Sequence, residues 1–131
     1  MKTKAVRLYG KNDLRLEEFE LPKIKDDEIL AKVVSDSLCM STYKAASQGT
    51  DHKRVPDDIA ENPIIVGHEF SGVLMEVGEK WAHKFKAGDK FSIQPAIYYE
   101  DGPVGLLSAP GYSYPHVGGD ATYVIIPNDV M

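Results

Sequence analysis

The sequence contains a single cysteine, Cys39, among its 131 residues. One cysteine cannot form an internal disulfide, and this usage is typical of a protein from a reducing compartment. No apolar run approaches the ~20 residues that a membrane-spanning helix needs, and the N-terminus lacks the long apolar core of a signal peptide. These absences predict a cytoplasmic protein with no membrane partner.

Positive charge is also sparse. The chain has 15 Lys and Arg against 20 Asp and Glu, which gives a formal net charge of −5. Its densest basic stretch is only His52-Lys53-Arg54. Because proteins that follow a phosphate backbone need clustered Lys and Arg, this distribution argues against nucleic acid as a partner. The length and the 43% apolar content predict one globular domain with a single modest core.

Apolar patterning predicts a mainly β protein. Short strands are expected at residues 4–8, 14–21, 28–36, 70–77, 90–93 and 121–126. The only predicted helix covers residues 41–47, with Gly49 after its end. Many short strands without a βαβ rhythm favour a barrel or sandwich.

Two further features concern strand irregularity and loops. The apolar positions of residues 14–21 change parity at Glu17-Glu18, which predicts a β-bulge there. Residues 48–63 are polar with two prolines, and residues 100–119 contain five Gly and three Pro. Both segments are predicted to be loops, the second a long ordered one.

The most informative residues are Cys39 and the run Gly67-His68-Glu69. A thiolate and an imidazole are good zinc ligands, and Glu69 adds an acidic group beside them. Zinc held in this way is a Lewis acid that can bind an alcohol or carbonyl oxygen, so the residues indicate alcohol–carbonyl redox chemistry. Taken alone, a lone Cys is more often a small buried apolar residue, and a lone His is often simply hydrogen-bonded and half-buried.

A hydride carrier has no evident binding motif in this sequence. No Gly-x-Gly-x-x-Gly follows a predicted strand. No cofactor-binding residue is therefore predicted, and residues 1–131 are expected to be inactive alone, as one domain of a longer enzyme.

Five motifs occur in an order that resembles the zinc-dependent medium-chain alcohol dehydrogenases. They are Cys39-x-Ser41, Gly67-His68-Glu69-x-x-Gly72, Val77-Gly78, Gly88-Asp89 and Gly118-Gly119-x-Ala121-x-Tyr123. The resemblance runs over essentially the whole chain. It implies a single GroES-like domain over residues 1–131, a partly open β-barrel with one short helix and long loops, which lacks the family's Rossmann domain.

The resemblance also implies roles for individual residues. Cys39 and His68 match metal ligands, and Glu69 is a close neighbour or occasional ligand of the zinc. Ser41 matches the hydroxyl that hydrogen-bonds the substrate oxygen and passes on its proton, although it could simply cap the following helix. The third family ligand would lie beyond residue 131. NAD(P) would be held by a domain outside this sequence, and the parent enzyme is expected to be a homo-oligomer.

Three positions depart from the family pattern. Thr42 stands where an Asp usually orients the zinc-bound His, which weakens that support. Lys44 replaces a frequent relay His, and Met40 replaces a common Gly or Arg. Tyr43 and Lys44 are the candidate substrate-binding residues.

The remaining polar and aromatic candidates have simpler interpretations. Lys44, Lys53 and Arg54 could contact a substrate phosphate, although a solvated surface is the simpler interpretation of such residues. Tyr112 and Tyr114 could line a pocket or act as packing anchors. His52, His83 and His116 are most simply surface residues.

Within the family, the chain is most similar to the polyol and sugar dehydrogenases, and its segment around residues 39–44 to L-sorbose-1-phosphate reductases. It lacks the four closely spaced cysteines of a structural zinc site. The implied function is the zinc- and substrate-binding part of an oxidoreductase that interconverts a polyol or sugar phosphate and its ketone. The alternative is a stand-alone GroES-like binding or assembly module without catalysis. A zinc-free quinone or enone reductase is disfavoured by the Cys and His pair.

Overall fold

The computed structural model describes residues 1–93, 97–98, 106–108 and 110–130. Within these ranges, strands dominate and α1 (Met40–Gln48) is the one α-helix. The strands are β1 (Lys2–Gly10), β2 (Asp13–Glu20), β3 (Ile29–Asp36), β4 (Ile64–Ile65), β5 (Phe70–Val77), β6 (Lys90–Ser92), β7 (Ile97–Tyr98), β8 (Leu106–Ser108) and β9 (Tyr123–Ile126). Short 3₁₀ helices lie at Gly49–Asp51, Glu79–Trp81 and Asn128–Val130.

Two antiparallel sheets form the body of the fold. One has the strand order β2-β1-β4, and the other β6-β5-β3-β9; β7 and β8 pair separately. The first sheet is linked to the residues just before β9 by two contacts. They are a bridge between Ala5 and Ala121 and a hydrogen bond from the Val6 N–H to the Asp120 carbonyl. The sheets remain open at their edges. This mainly β architecture confirms the fold class predicted from the sequence.

Most predicted elements are present. The strand at residues 70–77 has the predicted bounds, and α1 extends the predicted helix by one residue at each end before Gly49 ends it. β4 was not predicted. It consists of only two residues after a polar, proline-containing loop, which is too short a segment to show the alternation of apolar and polar residues that marks a strand. Of the loop predicted at residues 100–119, positions 100–105 and 109 lie outside the described residues, and β8 falls within the rest.

The β-bulge predicted at Glu17-Glu18 is wrong. The β1–β2 register runs unbroken from Lys2↔Glu20 to Leu8↔Leu14, and the shift lies between Leu8 and Gly10. Leu14 and Leu16 are 44% and 65% exposed on the edge strand. Because they do not enter the core, the apolar side chains occupy both faces of β2 and no extra residue is needed.

No helix among the described residues combines the length and the apolar content that a membrane-crossing segment requires.

The core consists of separate apolar clusters. The nine-residue α1 packs Ala45 and Ala46 into one of them, beneath the first sheet. The other buried members of this cluster are Leu8, Val55, Ile59, Ile64, Val66 and Tyr112. A second cluster fills the inner face of the other sheet, with Ile29, Ala31, Phe70, Leu74, Ile93, Val117, Val124 and Ile126. α1 and β5 are thus held by separate parts of the core.

Glycines bring two loops together at the start of β5. Gly67 and Gly111 have φ angles of 94° and 87°, a region that other residues rarely adopt. A Cβ on Gly111 would lie 2.3 Å from the carbonyl oxygen of Gly67 and 3.0 Å from the backbone N of His68. The loop that carries Gly111 can therefore lie directly against the backbone that carries His68.

A carboxyl pair packs against the same glycines. A Cβ on Gly67 would lie 2.9 Å from both Asp36 Oδ2 and Asp120 Oδ1, and one on Gly119 would lie 2.1 Å from Asp36 Oδ1. Burial, followed by a hydrogen bond with the adjoining Asp120 carboxyl and the charge of that carboxyl, raises the pKa of Asp36 to about 8. The buried Oδ1 of Asp36 has no hydrogen-bond donor among the described groups. We expect the Asp36 carboxyl to be protonated and to donate to the Asp120 carboxylate, because two buried like charges would repel each other.

We expect Gly111→Ala to destabilise the fold much more than Gly88→Ala. Gly88 has a φ of 94° with open space around the position of a Cβ, so its replacement costs only backbone strain, about 1 kcal/mol. Gly111→Ala adds a clash with backbone that cannot move aside, and should cost at least about 2 kcal/mol more. Urea unfolding of both variants measures the difference. Equal losses of unfolding free energy would contradict the close approach of the two loops.

Asp36→Asn should change how stability depends on pH. Because the folded-state pKa of about 8 exceeds the ~3.9 of an unfolded Asp, the folded chain binds the proton more tightly. The unfolding free energy should then fall as pH rises from about 4 to about 8. Asn cannot ionise, so the variant should be about 1 kcal/mol more stable than the parent at pH 8. This gain is smaller than the full pKa shift of Asp36 would give, because solvent screens a half-buried carboxylate.

The matched control is Asp57→Asn, which changes an exposed carboxylate in the loop after α1. Denaturant unfolding at pH 5, 6.5 and 8 gives the unfolding free energy at each pH. Its decrease with pH should be the same in Asp57→Asn as in the parent and smaller in Asp36→Asn. The same decrease in all three proteins would exclude a raised pKa of Asp36.

Candidate metal and substrate site

Cys39 lies where β3 gives way to α1. It is the N-cap residue of α1, in an extended conformation, and its Sγ accepts a hydrogen bond from the Ser41 backbone N–H at 3.5 Å. The sulfur thereby pairs with one of the backbone N–H groups that a helix leaves without a partner at its N-terminus. The cap also sets Ser41 within the first turn beside the thiol.

His68 and Glu69 form the short link between β4 and β5. The Ser37 N–H donates to the Glu69 carbonyl at 2.9 Å, and Asp36 pairs with Phe70 in the β3–β5 ladder. β3 therefore ends beside the start of β5, and the segment that carries Cys39 meets the segment that carries His68.

The side chains of Cys39, His68 and Glu69 converge. Their candidate ligand atoms, one per residue, all lie within 4.8 Å of one another. His68 Nε2 is 3.5 Å from Glu69 Oε1, and the two side chains are 13% and 47% exposed. A sulfur, an imidazole nitrogen and a carboxylate oxygen are the donors that zinc takes in proteins, and three protein donors leave a fourth position open.

The electrostatics of His68 suit a metal ligand. Burial lowers the pKa of His68, the Glu69 carboxylate opposes this effect, and the Arg54 charge lowers the pKa again. The imidazole is therefore neutral near pH 7, the form that binds a metal. Its buried Nδ1 has no hydrogen-bond partner among the described residues. The donor set and this unpaired nitrogen together fit a zinc ion.

Tyr112 forms the floor beside these residues. It is 1% exposed, and its ring centroid lies 5.4 Å from that of His68 and 5.1 Å from that of His52, which stacks on it. Burial raises the pKa of the Tyr112 hydroxyl, while a hydrogen bond from Ser41 and the nearby Arg54 charge lower it. Ser41 is thus hydrogen-bonded to a buried phenol on the inner side of the site.

Tyr43 and Lys44 lie on the exposed side of α1. Tyr43 is 64% exposed and borders an open depression with Leu38, Cys39, Met40 and Asp120. Thr42 is half-buried between them. The structure therefore places Tyr43 at the rim of the candidate site and Lys44 on the outer surface of the helix.

Three side chains expected at the surface, those of His52, Arg54 and His116, are half-buried. His52 is half-buried against Tyr112, and Arg54 is half-buried beside the same ring with its Cζ 5.6 Å from the centroid. His116 is also half-buried, and burial lowers the pKa of its imidazole. His83 is exposed, as expected. The basic run at residues 52–54 gave no sign of this burial, because Tyr112 comes from a distant loop.

Comparison with known proteins places these observations in a family. Residues 25–131 match the model of the alcohol dehydrogenase GroES-like domain. The chain is 58% identical over 129 residues to L-sorbose 1-phosphate reductase of Klebsiella pneumoniae, covering 98% of this chain and 30% of that protein. It is 52% identical over 125 residues to mannitol-1-phosphate 5-dehydrogenase of Aliivibrio fischeri, covering 95% and 28%.

A solved structure agrees with the sequence relatives. A Sinorhizobium meliloti protein described as a zinc-binding dehydrogenase, with NADP bound, superposes with a TM-score of 0.78 at 25% identity, covering 98% of this chain and 37% of that one. The chain spans roughly a third of the length of these proteins. These matches confirm the family resemblance predicted from the motifs, and the chain belongs to the alcohol dehydrogenase GroES-like domain family.

Proposed function

We propose that this chain is the zinc- and substrate-binding part of a dehydrogenase that interconverts a polyol or sugar phosphate and its ketone, with NAD(P) as the hydride carrier. L-sorbose 1-phosphate is the first substrate to test, because the chain is 58% identical to a reductase of that name. The observation that carries the proposal is the convergence of Cys39, His68 and Glu69 within 4.8 Å. A binding or assembly module without chemistry gives this convergence no purpose.

In the proposed site, Cys39 and His68 hold the metal and Glu69 stands beside them as a neighbour or additional ligand. Zinc, when bound, supplies a Lewis acid that favours the alkoxide form of an alcohol and polarises a ketone. The N-cap position of Cys39 and the burial of His68 keep both donors oriented. The weak point is the unpaired Nδ1 of His68, since Thr42 brings no carboxylate to it.

Ser41 is proposed as the proton-transfer residue. Ser41 follows Cys39 by two positions in the first turn of α1, and its half-buried hydroxyl lies near the phenol of Tyr112. In the proposed step Oγ accepts the proton of a substrate hydroxyl as the Ser41 hydroxyl releases its own proton to solvent, so that Ser41 stays neutral. Tyr43, at the rim of the site, and Lys44, on the outer surface of α1, remain the proposed substrate contacts.

The hydride carrier is proposed to lie on a Rossmann domain outside residues 1–131. Support comes from the S. meliloti structure, which holds NADP, and from the absence of a Gly-x-Gly-x-x-Gly motif in this sequence. With the third family ligand outside residues 1–131, the isolated chain is expected to hold zinc weakly or not at all and not to turn over substrate. Turnover of a polyol by residues 1–131 with NAD(P) would contradict this division.

Cys39→Ser and His68→Gln should each weaken zinc binding by at least about 100-fold, because each removes a direct donor. Glu69→Gln should cost about 10-fold, since its carboxylate is more exposed. Competition against a chromophoric chelator measures all three affinities. His83→Gln is the control, because that exposed ring stacks on Trp81 and takes no part in the convergent set. Unchanged affinity in Cys39→Ser would exclude the proposed metal site.

Ser41→Ala should lower kcat of the complete dehydrogenase by about 100-fold, with little change in zinc content, because it removes a proton-transfer group. The matched control is Ser47→Ala on the same helix, where the hydroxyl donates to the Lys44 carbonyl at 3.2 Å. Steady-state rates with L-sorbose 1-phosphate and NAD(P)H measure the effect. A parent-like kcat in Ser41→Ala would leave Ser41 as a helix residue only.

A further inference from the structure

Arg54 is fixed at the edge of the candidate site by its backbone. Its N–H donates to His52 Nδ1 at 3.2 Å, and its carbonyl accepts a hydrogen bond from Ser113 Oγ at 2.9 Å. These bonds tie the loop after α1 to the loop that carries Tyr112. The guanidinium then lies beside the Tyr112 ring, with Cζ 5.6 Å from the centroid.

The charge of Arg54 is not balanced within the described structure. None of the salt bridges among the described residues includes Arg54, whereas Lys2, Lys11 and Arg15 each pair with a carboxylate. Glu69, the acidic member of the site, pairs with His68. His52 and Tyr112, the ring neighbours of this segment, bring no carboxylate to it. A half-buried cation without a carboxylate partner among the described residues favours an anion that arrives with a ligand.

We propose that Arg54 binds the phosphate group of the substrate and thereby makes the site selective for sugar phosphates over unphosphorylated polyols. This inference rests on the proposed dehydrogenase function and names the substrate class of the same site. A guanidinium suits this role because its planar set of N–H donors matches phosphate oxygens in pairs. The contact with the Tyr112 ring, 5.6 Å from Cζ, keeps the guanidinium beside the candidate site.

The distances allow one substrate to span both ends of the site. Tyr112 lies 5.4 Å from the His68 ring centroid and 5.6 Å from Arg54 Cζ, so the imidazole and the guanidinium are at most about 11 Å apart. In L-sorbose 1-phosphate three single bonds of about 1.5 Å separate the carbonyl carbon C2 from phosphorus, a span of roughly 4 Å, whereas six bonds separate C5 from phosphorus in an extended hexitol 1-phosphate, a span of roughly 7 Å. With a contact of about 3 Å added at each end, both molecules reach about 10 Å or more, which matches the upper limit of about 11 Å between the imidazole and the guanidinium.

Lys53 provides the matched comparison. It neighbours Arg54 in sequence and carries the same charge, but its side chain is exposed and has no ring contact or salt bridge among the described residues. A general attraction of the loop for anions would involve both residues. Selective recognition would involve Arg54 alone.

The test compares Arg54→Gln, Arg54→Lys and Lys53→Gln in the complete dehydrogenase. For L-sorbose 1-phosphate we expect Arg54→Gln to lower kcat/KM by about 10- to 100-fold, mainly through KM, because a charge-assisted pair of hydrogen bonds is lost. Unphosphorylated L-sorbose should be affected less than about 3-fold. Arg54→Lys should retain part of the selectivity, and Lys53→Gln should resemble the parent. Calorimetric binding of mannitol 1-phosphate to the zinc-loaded proteins gives a second readout that needs no turnover.

The outcomes separate the two proposals. Turnover of sugar phosphates with a selectivity unchanged in Arg54→Gln overturns the Arg54 inference and leaves the dehydrogenase function in place. Arg54-dependent binding of mannitol 1-phosphate without turnover of any polyol or sugar phosphate supports the anion site and overturns the dehydrogenase function. If Arg54→Gln lowers kcat/KM equally for L-sorbose and for its phosphate, the selectivity role is overturned, because Arg54 is then structural. A decrease of kcat/KM in Lys53→Gln as large as in Arg54→Gln also overturns it.

Discussion

The position of His68 depends on a close approach of backbone to backbone. The segment at Gly111 and the segment at Gly118-Gly119 both lie against residues 65–68 at distances that leave no room for a Cβ. The Gly119 N–H donates to the Gly67 carbonyl at 2.8 Å, and the Asp120 N–H donates to the Val66 carbonyl at 3.0 Å. His68 is therefore held by main-chain contacts from two loops, and its ring is buried at the junction of the sheets although its Nδ1 has no hydrogen-bond partner among the described residues. Glycine in the Gly67-His68-Glu69 motif is a condition for this packing.

Burial has opposite consequences for the groups around this junction. It removes the proton from His68 near neutral pH, which frees a nitrogen for a metal, and it keeps a proton on the Asp36–Asp120 pair, which avoids a second buried charge. Arg54 cannot respond in the same way, since a guanidinium keeps its charge. The site therefore contains neutral rings, a protonated carboxyl pair and one cation whose partner is not found among the described residues.

The sequence predicted the parts of this arrangement that depend on local pattern. β3, β5 and α1 follow from alternating apolar residues and from Gly49 after the helix, and the motif order identified the family. The contacts that give the site its electrostatics were not predictable in this way. His52 and Arg54 are half-buried only because Tyr112 arrives from a loop almost sixty positions later, and Asp36 meets Asp120 across eighty-four positions. Side-chain burial of this kind depends on tertiary packing, to which a single sequence without homologues gives no access.

The charges of the proposed site favour a phosphorylated substrate over a neutral one. Within residues 1–131, the charges of a Zn²⁺ ion, a Cys39 thiolate and the Glu69 carboxylate would sum to zero, so these residues provide no negative charge to balance Arg54. A polyol brings no charge to balance it, and the half-buried guanidinium then remains poorly solvated. A sugar phosphate brings about −1.5 to −2 charges at neutral pH, by analogy with a phosphorylated side chain, and places them beside Arg54 when its reacting carbon is at the metal. The packing of Tyr112 beside His68 and Arg54 thus contributes both to the proposed role of His68 as a metal ligand and to the proposed selectivity of Arg54.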